Sequence, residues 1–292
     1  MIPATLSFLF TTCAWAEIPS LGSPVVQPQA LPLFDAHIHL ADFSAAELYE
    51  FAMQWKLDGI VVVGTETSIE LQSAYPDYCV SCVTDGPITA ETPDVLARAL
   101  DDGARCIGEL GLKYIGMGGV PVSYTVNDPI LMEVYALAGS RGVPVNVHIN
   151  HEDDTIWEFE DALDSHPGTV FVWAHSGDTD PATLGPLLQR HPNLFSDLAC
   201  RHDIFSRVVR EGYGLYDQSI MTPQGTLRED WREIFMRYPD RFIFGTDVAI
   251  FERAIYMEEV LSFFRQAFRQ LPFPVAARIA NRNGRAIYDL PR

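Results

Sequence analysis

Positive charge is scarce in this chain: 20 Lys and Arg stand against 39 Asp and Glu in 292 residues, for a formal net charge of −19. Proteins that grip nucleic-acid backbones replace condensed counterions with Lys and Arg. The composition therefore argues against a nucleic-acid partner, although a local basic patch stays compatible with it. Hydrophobic runs long enough for a mature membrane span are missing, and the apolar (48%) and charged (20%) fractions are those of an ordinary globular protein. Cysteine is sparse as well, with 5 in the chain. Beyond Cys13 there remain Cys79, Cys82, Cys106 and Cys200, too scattered for a dense disulfide framework. Cys79 and Cys82 form a C-x-x-C inside the apolar run YCVSCV, without a second Cys pair or a helix start. That context reads as a buried structural pair in preference to a redox or zinc site. Fixed-period repeats, low-complexity linkers and signs of a second domain are absent too.

What is present begins with an apolar stretch, MIPATLSFLFTTCAWAEIPS, in which Ala14-Trp15-Ala16 has the small-x-small form that signal peptidase cuts after. The expectation is a signal peptide over residues 1–16, an extension over 17–32 and one domain over 33–292, working in the periplasm or as a secreted protein. The usual positive n-region is missing, and the competing reading is an unstructured or surface-lying N-terminus.

From Leu33 onward, short apolar runs alternate with longer helical patterns, the mark of βα units around a parallel sheet. Eight runs qualify as strands, starting at Leu33, Gly59, Tyr78, Arg105, Val143, Val170, Leu194 and Arg241. Most are nearly continuous in apolar residues, as parallel strands covered on both faces must be. The α/β class and a single-domain (β/α)₈ TIM barrel follow, a fold that commonly takes about 250 residues. Asp128 before Pro129 predicts a helix with Ile130, Val134, Leu137 and Ala138 on its inner face and Gly142 past its end. Asp180-Pro181 repeats that start, with Pro186 predicting a distortion. Between Asp203 and Arg228, where Gly and Pro recur, a long loop over the barrel mouth is expected.

His37-Ile38-His39 ends the first run, and alternate residues of a strand share a side, so both imidazoles can reach one ion. Alone, H-x-H also suits a hydrogen-bonded structural pair. His148, His175 and Asp247, however, end the fifth, sixth and eighth runs, and in a closed barrel those carboxyl ends converge on one face. The set reads as ligands of a divalent metal, zinc first and manganese as the alternative, in one or two ions. Glu109 ends the fourth run and is a further ligand or bridge, or else a residue that orients a ligand His or forms a plain salt bridge. Asp197, Arg201 and His202, at and after the end of the seventh run, are candidates for substrate binding. A loop-pinning role for Asp197 and surface salt bridges for Arg201 and His202 compete with that reading. Lys113 is read as lying past its strand, too far for a carbamylated bridge, and His151 as solvated at the mouth. His166 and His191 precede Pro at helix ends, where contact with helix carbonyls explains them.

The H-x-H opening, Gly108-Glu109-Leu110-Gly111-Leu112, the strand-ending His148 and His175, and Gly245-Thr246-Asp247 resemble the amidohydrolase superfamily over nearly the whole mature chain. Within it, PVNVHIN, FVWAHSG, HPNLFSDLA and RFIFGTD resemble the amidohydrolase-related group, which includes lactone and amide hydrolases and some nonoxidative decarboxylases. GELGL is also similar to the TatD-type deoxyribonucleases, in which that Glu is a metal ligand, but Lys113 replaces the Asp that normally follows. The resemblance implies a (β/α)₈ barrel, a mono- or dinuclear metal centre, and Asp247 as the proton-handling residue. The expected chemistry is hydrolysis of a small-molecule ester, lactone or amide. Asp247 takes a proton from a metal-activated water, and His175 serves as ligand or as donor to the developing oxyanion. A decarboxylase on the same scaffold is the alternative, followed by a nuclease or a non-catalytic metal- or solute-binding protein.

Overall fold

Runs rich in β-branched residues, such as IVVVG at Ile60–Gly64, are stiff at χ1 and pack well on a pleated surface, and they become strands. In the computed structural model, residues 31–40, 43–115, 120–150, 153–204 and 219–290 are described. The expected signal peptide, His151 and most of the expected loop over the mouth lie outside the described residues. The strands are β1 (Asp35–His39), β2 (Ile60–Gly64), β3 (Cys79–Val83), β4 (Cys106–Ile115), β5 (Pro121–Ser123), β6 (Val145–Ile149), β7 (Phe171–Trp173), β8 (Leu194–Asp197) and β9 (Phe242–Ile243). Leaving out β5, which pairs antiparallel with the tail of β4, the other eight lie side by side in chain order, each parallel to the next. Helices α1 (Ala45–Gln54), α2 (Glu66–Ala74), α3 (Thr92–Asp101), α4 (Pro129–Arg141), α5 (Asp153–Ser165), α6 (Pro181–Arg190) and α7 (Glu229–Arg237) lie in the connections. They are followed after β9 by α8 (Phe251–Ala254) and α9 (Met257–Phe268).

The ring closes between its first and last strands. Ile38 bridges Val248, the Ala36 amide donates to Phe244 O at 2.9 Å, and the Asp247 amide donates to His37 O at 2.7 Å. Asp35 is buried in this seam and accepts from Thr246 Oγ1 at 2.6 Å and from the Thr246 amide at 3.0 Å. Burial pushes its carboxyl up to about 7, against the lowering effect of those bonds. The expected (β/α)₈ barrel is thus the observed architecture.

Period-two alternation sorts the core into two layers. Val61, Val63, Val80, Cys82, Cys106, Val172 and Ile243 cluster inside the ring, while Ile60, Val62 and their equivalents meet the helices outside. Full burial contributes about 1.5–3 kcal/mol for each such Val or Ile. This alternation corrects the reading of the C-x-x-C. Three positions apart on a strand, Cys79 and Cys82 face opposite ways, so Cys79 is a free buried thiol in the outer layer. Cys82 instead forms a disulfide with its register partner Cys106 on β4.

Asp128 caps α4 by accepting from the Ile130 amide at 2.9 Å, and Gly142 closes the helix with a φ of 66°. The buried face is Leu131, Val134, Tyr135 and Ala138. It is turned from the predicted stripe because Tyr135 reaches inward to Val126 O at 3.0 Å, leaving Ile130 and Leu137 half-buried. Asp180 caps α6, which runs on through Pro186 to Arg190. Lys113 lies within β4 rather than past it and pairs with Asp154 at 2.7 Å. Among the described residues, no helix is long and apolar enough to cross a membrane.

Candidate metal centre

The ring brings six predicted ligands to its carboxyl-end face from five places. β1 supplies His37 and His39, β4 supplies Glu109, β6 supplies His148, and the turns after β7 and β9 supply His175 and Asp247. Glu109 lies between two pairs of imidazoles. Its Oε2 is 3.5 Å from both His37 Nε2 and His39 Nε2, while its Oε1 is 3.0 Å from His148 Nδ1 and 3.2 Å from His175 Nε2. Asp247 Oδ1 lies 3.1 Å from His39 Nε2 and 3.8 Å from His37 Nε2.

These donors fit a divalent metal. Glu109 Oε1 is buried and forms no well-aligned hydrogen bond despite its two close nitrogens, and His37 and His39 turn their Nε2 atoms toward each other at 3.2 Å. Nitrogens and carboxylate oxygens aimed at common points, in groups of three within 4.8 Å, are what a cation requires.

The electrostatics record the same convergence. Burial alone would discharge His37 and His175. The charges of Glu109 and Asp197 around His37, and contact with Cys200 and Glu109 around His175, hold both pKa values well above 6.5. Burial disfavours the Glu109 and Asp247 carboxylates, but His37 and His148 beside Glu109, and Arg253 and His39 beside Asp247, hold both well below their ordinary values.

His175 follows β7 rather than ending it. His175, Ser176, Gly177 and Asp178 form a left-handed turn with φ of 55°, 53°, 62° and 50°. Only glycine fits at 177, where a Cβ would lie 1.9 Å from the Trp173 ring. A left-handed non-glycine residue costs roughly 1–2 kcal/mol, so the turn needs outside support. Ser176 Oγ donates to Asp197 O at 2.8 Å, Ser196 Oγ to Ser176 Oγ at 2.8 Å, and Arg201 Nη2 to Thr179 O at 2.6 Å.

The three residues expected at the substrate are placed differently. Asp197, Arg201 and His202 are 0%, 1% and 1% exposed, so they are buried rather than open to a ligand at the mouth. Asp197 accepts from His37 Nδ1 at 2.9 Å and from the His175 amide at 2.8 Å, matching its competing loop-pinning role. Arg201 is buried rather than at the surface. Its guanidinium stacks 4.8 Å over Trp231, and burial lowers its pKa to about 10. His202 packs its ring against Phe263 and Phe264, and its Nδ1 accepts from the Ile204 amide at 3.2 Å.

Sequence reasoning missed three neighbours. Arg253 on α8 ion-pairs with Asp247 Oδ2, Cys200 lies 3.1 Å from that oxygen, and Tyr114 stacks on His148. Arg253 lies six positions past Asp247, and no motif marks it.

The family profile described as amidohydrolase matches residues 86–290. A search of curated proteins finds no match. Among solved structures, a probable 2-pyrone-4,6-dicarboxylic acid hydrolase from Acinetobacter baumannii, with citric acid bound, is 13% identical. It covers 88% of this chain and 99% of its own, with a TM-score of 0.60. An amidohydrolase from Burkholderia multivorans with bound zinc is 15% identical over 89% of this chain and 100% of its own, at a TM-score of 0.57. A 2,6-dihydroxybenzoate decarboxylase complexed with 2,6-dihydroxybenzoate is 11% identical over 90% of this chain and 99% of its own, at 0.52. At these identities the likeness shows the fold.

Proposed function

The chain belongs to the amidohydrolase family, and from that premise we propose that it is a metal-dependent hydrolase of a small-molecule ester, lactone or amide. The observation that carries the proposal is Glu109, set between His37 and His39 on one side and His148 and His175 on the other, with Asp247 alongside. His37, His39, Glu109 and Asp247 would hold one ion, and Glu109, His148 and His175 a second. Zinc suits imidazole and carboxylate donors, and the zinc-bound Burkholderia protein of the same fold supports it; manganese is the alternative.

A divalent ion there supplies fixed positive charge, which lowers a water's pKa from about 15.7 toward 7 and polarises a carbonyl. The protein's own groups do the rest. Asp247 is held ionised, so it accepts the water's proton and gives it up readily to the leaving group. Arg253 fixes Oδ2 of that carboxylate and leaves Oδ1 toward His39. Asp197 keeps a proton on His37 Nδ1, which aims the Nε2 lone pair into the centre. The net charge of −19 and Lys113 in place of the expected Asp weigh against a nuclease. The Cys82–Cys106 disulfide supports the export read from the leader, because disulfides persist in oxidising compartments.

The test is metal content per chain in the wild type, His37→Ala and Glu109→Ala. About two ions are expected in the wild type, fewer in His37→Ala, and at most about one in Glu109→Ala. A wild-type protein that holds no metal, and takes up neither Zn²⁺ nor Mn²⁺, would overturn the reading.

A further inference from the structure

Tyr114 lies five positions past Glu109 on β4, yet its side chain turns back toward the cluster. A Cβ on Gly111 would sit 2.7 Å from Tyr114 Cε1 and 2.9 Å from its hydroxyl oxygen, so the phenol occupies the space that glycine leaves. Gly111 is the register partner of His148, and the Tyr114 ring stacks on the His148 imidazole with centroids 4.1 Å apart and planes at 23°. The phenol is therefore lodged against a ligand imidazole at the mouth of the site, while the adjacent Lys113 goes to Asp154 and Glu158.

We infer that the Tyr114 hydroxyl donates a hydrogen bond to the substrate's carbonyl oxygen and follows it as it becomes the tetrahedral oxyanion. The hydroxyl makes no hydrogen bond to any of the described residues, and the ring is only half-buried, so the donor is available to a ligand entering the mouth. A phenol is neutral at pH 7 and carries one O–H donor. A neutral donor suits this position, because it stabilises growing negative charge without pairing beforehand with the two carboxylates. His148 benefits as well, since the stacked ring fixes its plane. The assignment rests on the hydrolase reading and adds to it the group that binds the reacting oxygen.

The experiment uses zinc-loaded wild type and Tyr114→Phe, which keeps the stack on His148 and removes only the hydroxyl. The probe is methylphosphonate, a tetrahedral oxyanion mimic, titrated by calorimetry, with zinc content measured on the same samples. The expected result is unchanged zinc content and binding weaker by about 10–100-fold, as for loss of a hydrogen bond to a charged group. Equal binding by both proteins overturns the role of Tyr114 and leaves the hydrolase reading standing. A zinc-loaded wild type that does not bind methylphosphonate overturns both.

Discussion

Asp197→Asn is the substitution that most sharply probes how the centre is built. The carboxylate is fully buried and takes four hydrogens: Oδ2 accepts from His37 Nδ1 at 2.9 Å and from Asn146 Nδ2 at 3.5 Å, and Oδ1 accepts from the amides of His175 at 2.8 Å and Ala199 at 3.1 Å. An asparagine of the same shape has one oxygen to offer. If that oxygen stays on the two amides, the NH₂ faces His37 Nδ1 and forces the proton onto Nε2, which removes the lone pair aimed at the metal. If the amide flips, its NH₂ meets two backbone donors instead. Loss of such an orienting partner typically costs about 10–100-fold in metal affinity, or about 1.4–2.8 kcal/mol. Competition with a chromophoric zinc chelator measures this directly, with the urea unfolding midpoint as a check on folding. An Asp197→Asn protein that binds zinc as tightly as wild type would refute the tautomer argument.

Two further outcomes are expected. In the metal-free protein, His37 and His175 have pKa values raised above 6.5, so the stability they contribute is complete below that pH and is lost as pH rises through their folded values. Glu109 and Asp247, lowered from 4.5 and 3.8, contribute stability above those values that is lost as pH falls through their folded ones. Unfolding midpoints with chelator should therefore fall as pH rises above about 6.5, and the gain on adding zinc should grow as they fall. A gain that is flat with pH would count against imidazoles as ligands. Arg201→Met should lower stability by about 2–4 kcal/mol in chemical denaturation, because it leaves the buried Thr179 carbonyl without its donor, whereas an effect below about 0.5 kcal/mol would place Arg201 among ordinary surface residues.

The barrel was legible because parallel strands buried on both faces leave uninterrupted apolar runs, and because His37, His39 and His148 fall at or near the ends of such runs, whereas Glu109, expected at a strand end, is the fourth of ten residues in β4. His175 was located to the right rim, but its left-handed turn was not readable. Four successive positive φ angles contradict local preference and exist only because Asp197, Ser196 and Arg201 support them from other segments. Arg201 read as a substrate-binding or surface-paired cation because the aromatic ring it stacks on, Trp231, is thirty positions away. The disulfide partner of Cys82 required the register between β3 and β4, which the spacing of Cys79 and Cys82 does not contain. The placement of Tyr114 depends on a missing Cβ at Gly111, visible only once the strand is folded.

The seam closed by Asp35 and Thr246 joins residues 211 positions apart, and His37 and His39 lie on one side of it with Asp247 on the other. A nascent chain halted before β9 would carry all four proposed ligand histidines and still lack Asp247. Metal capture by the proposed ligand set would therefore follow synthesis of almost the entire domain, so an ion that serves the enzyme as a cofactor would act, for the folding chain, as a late clasp on the ring.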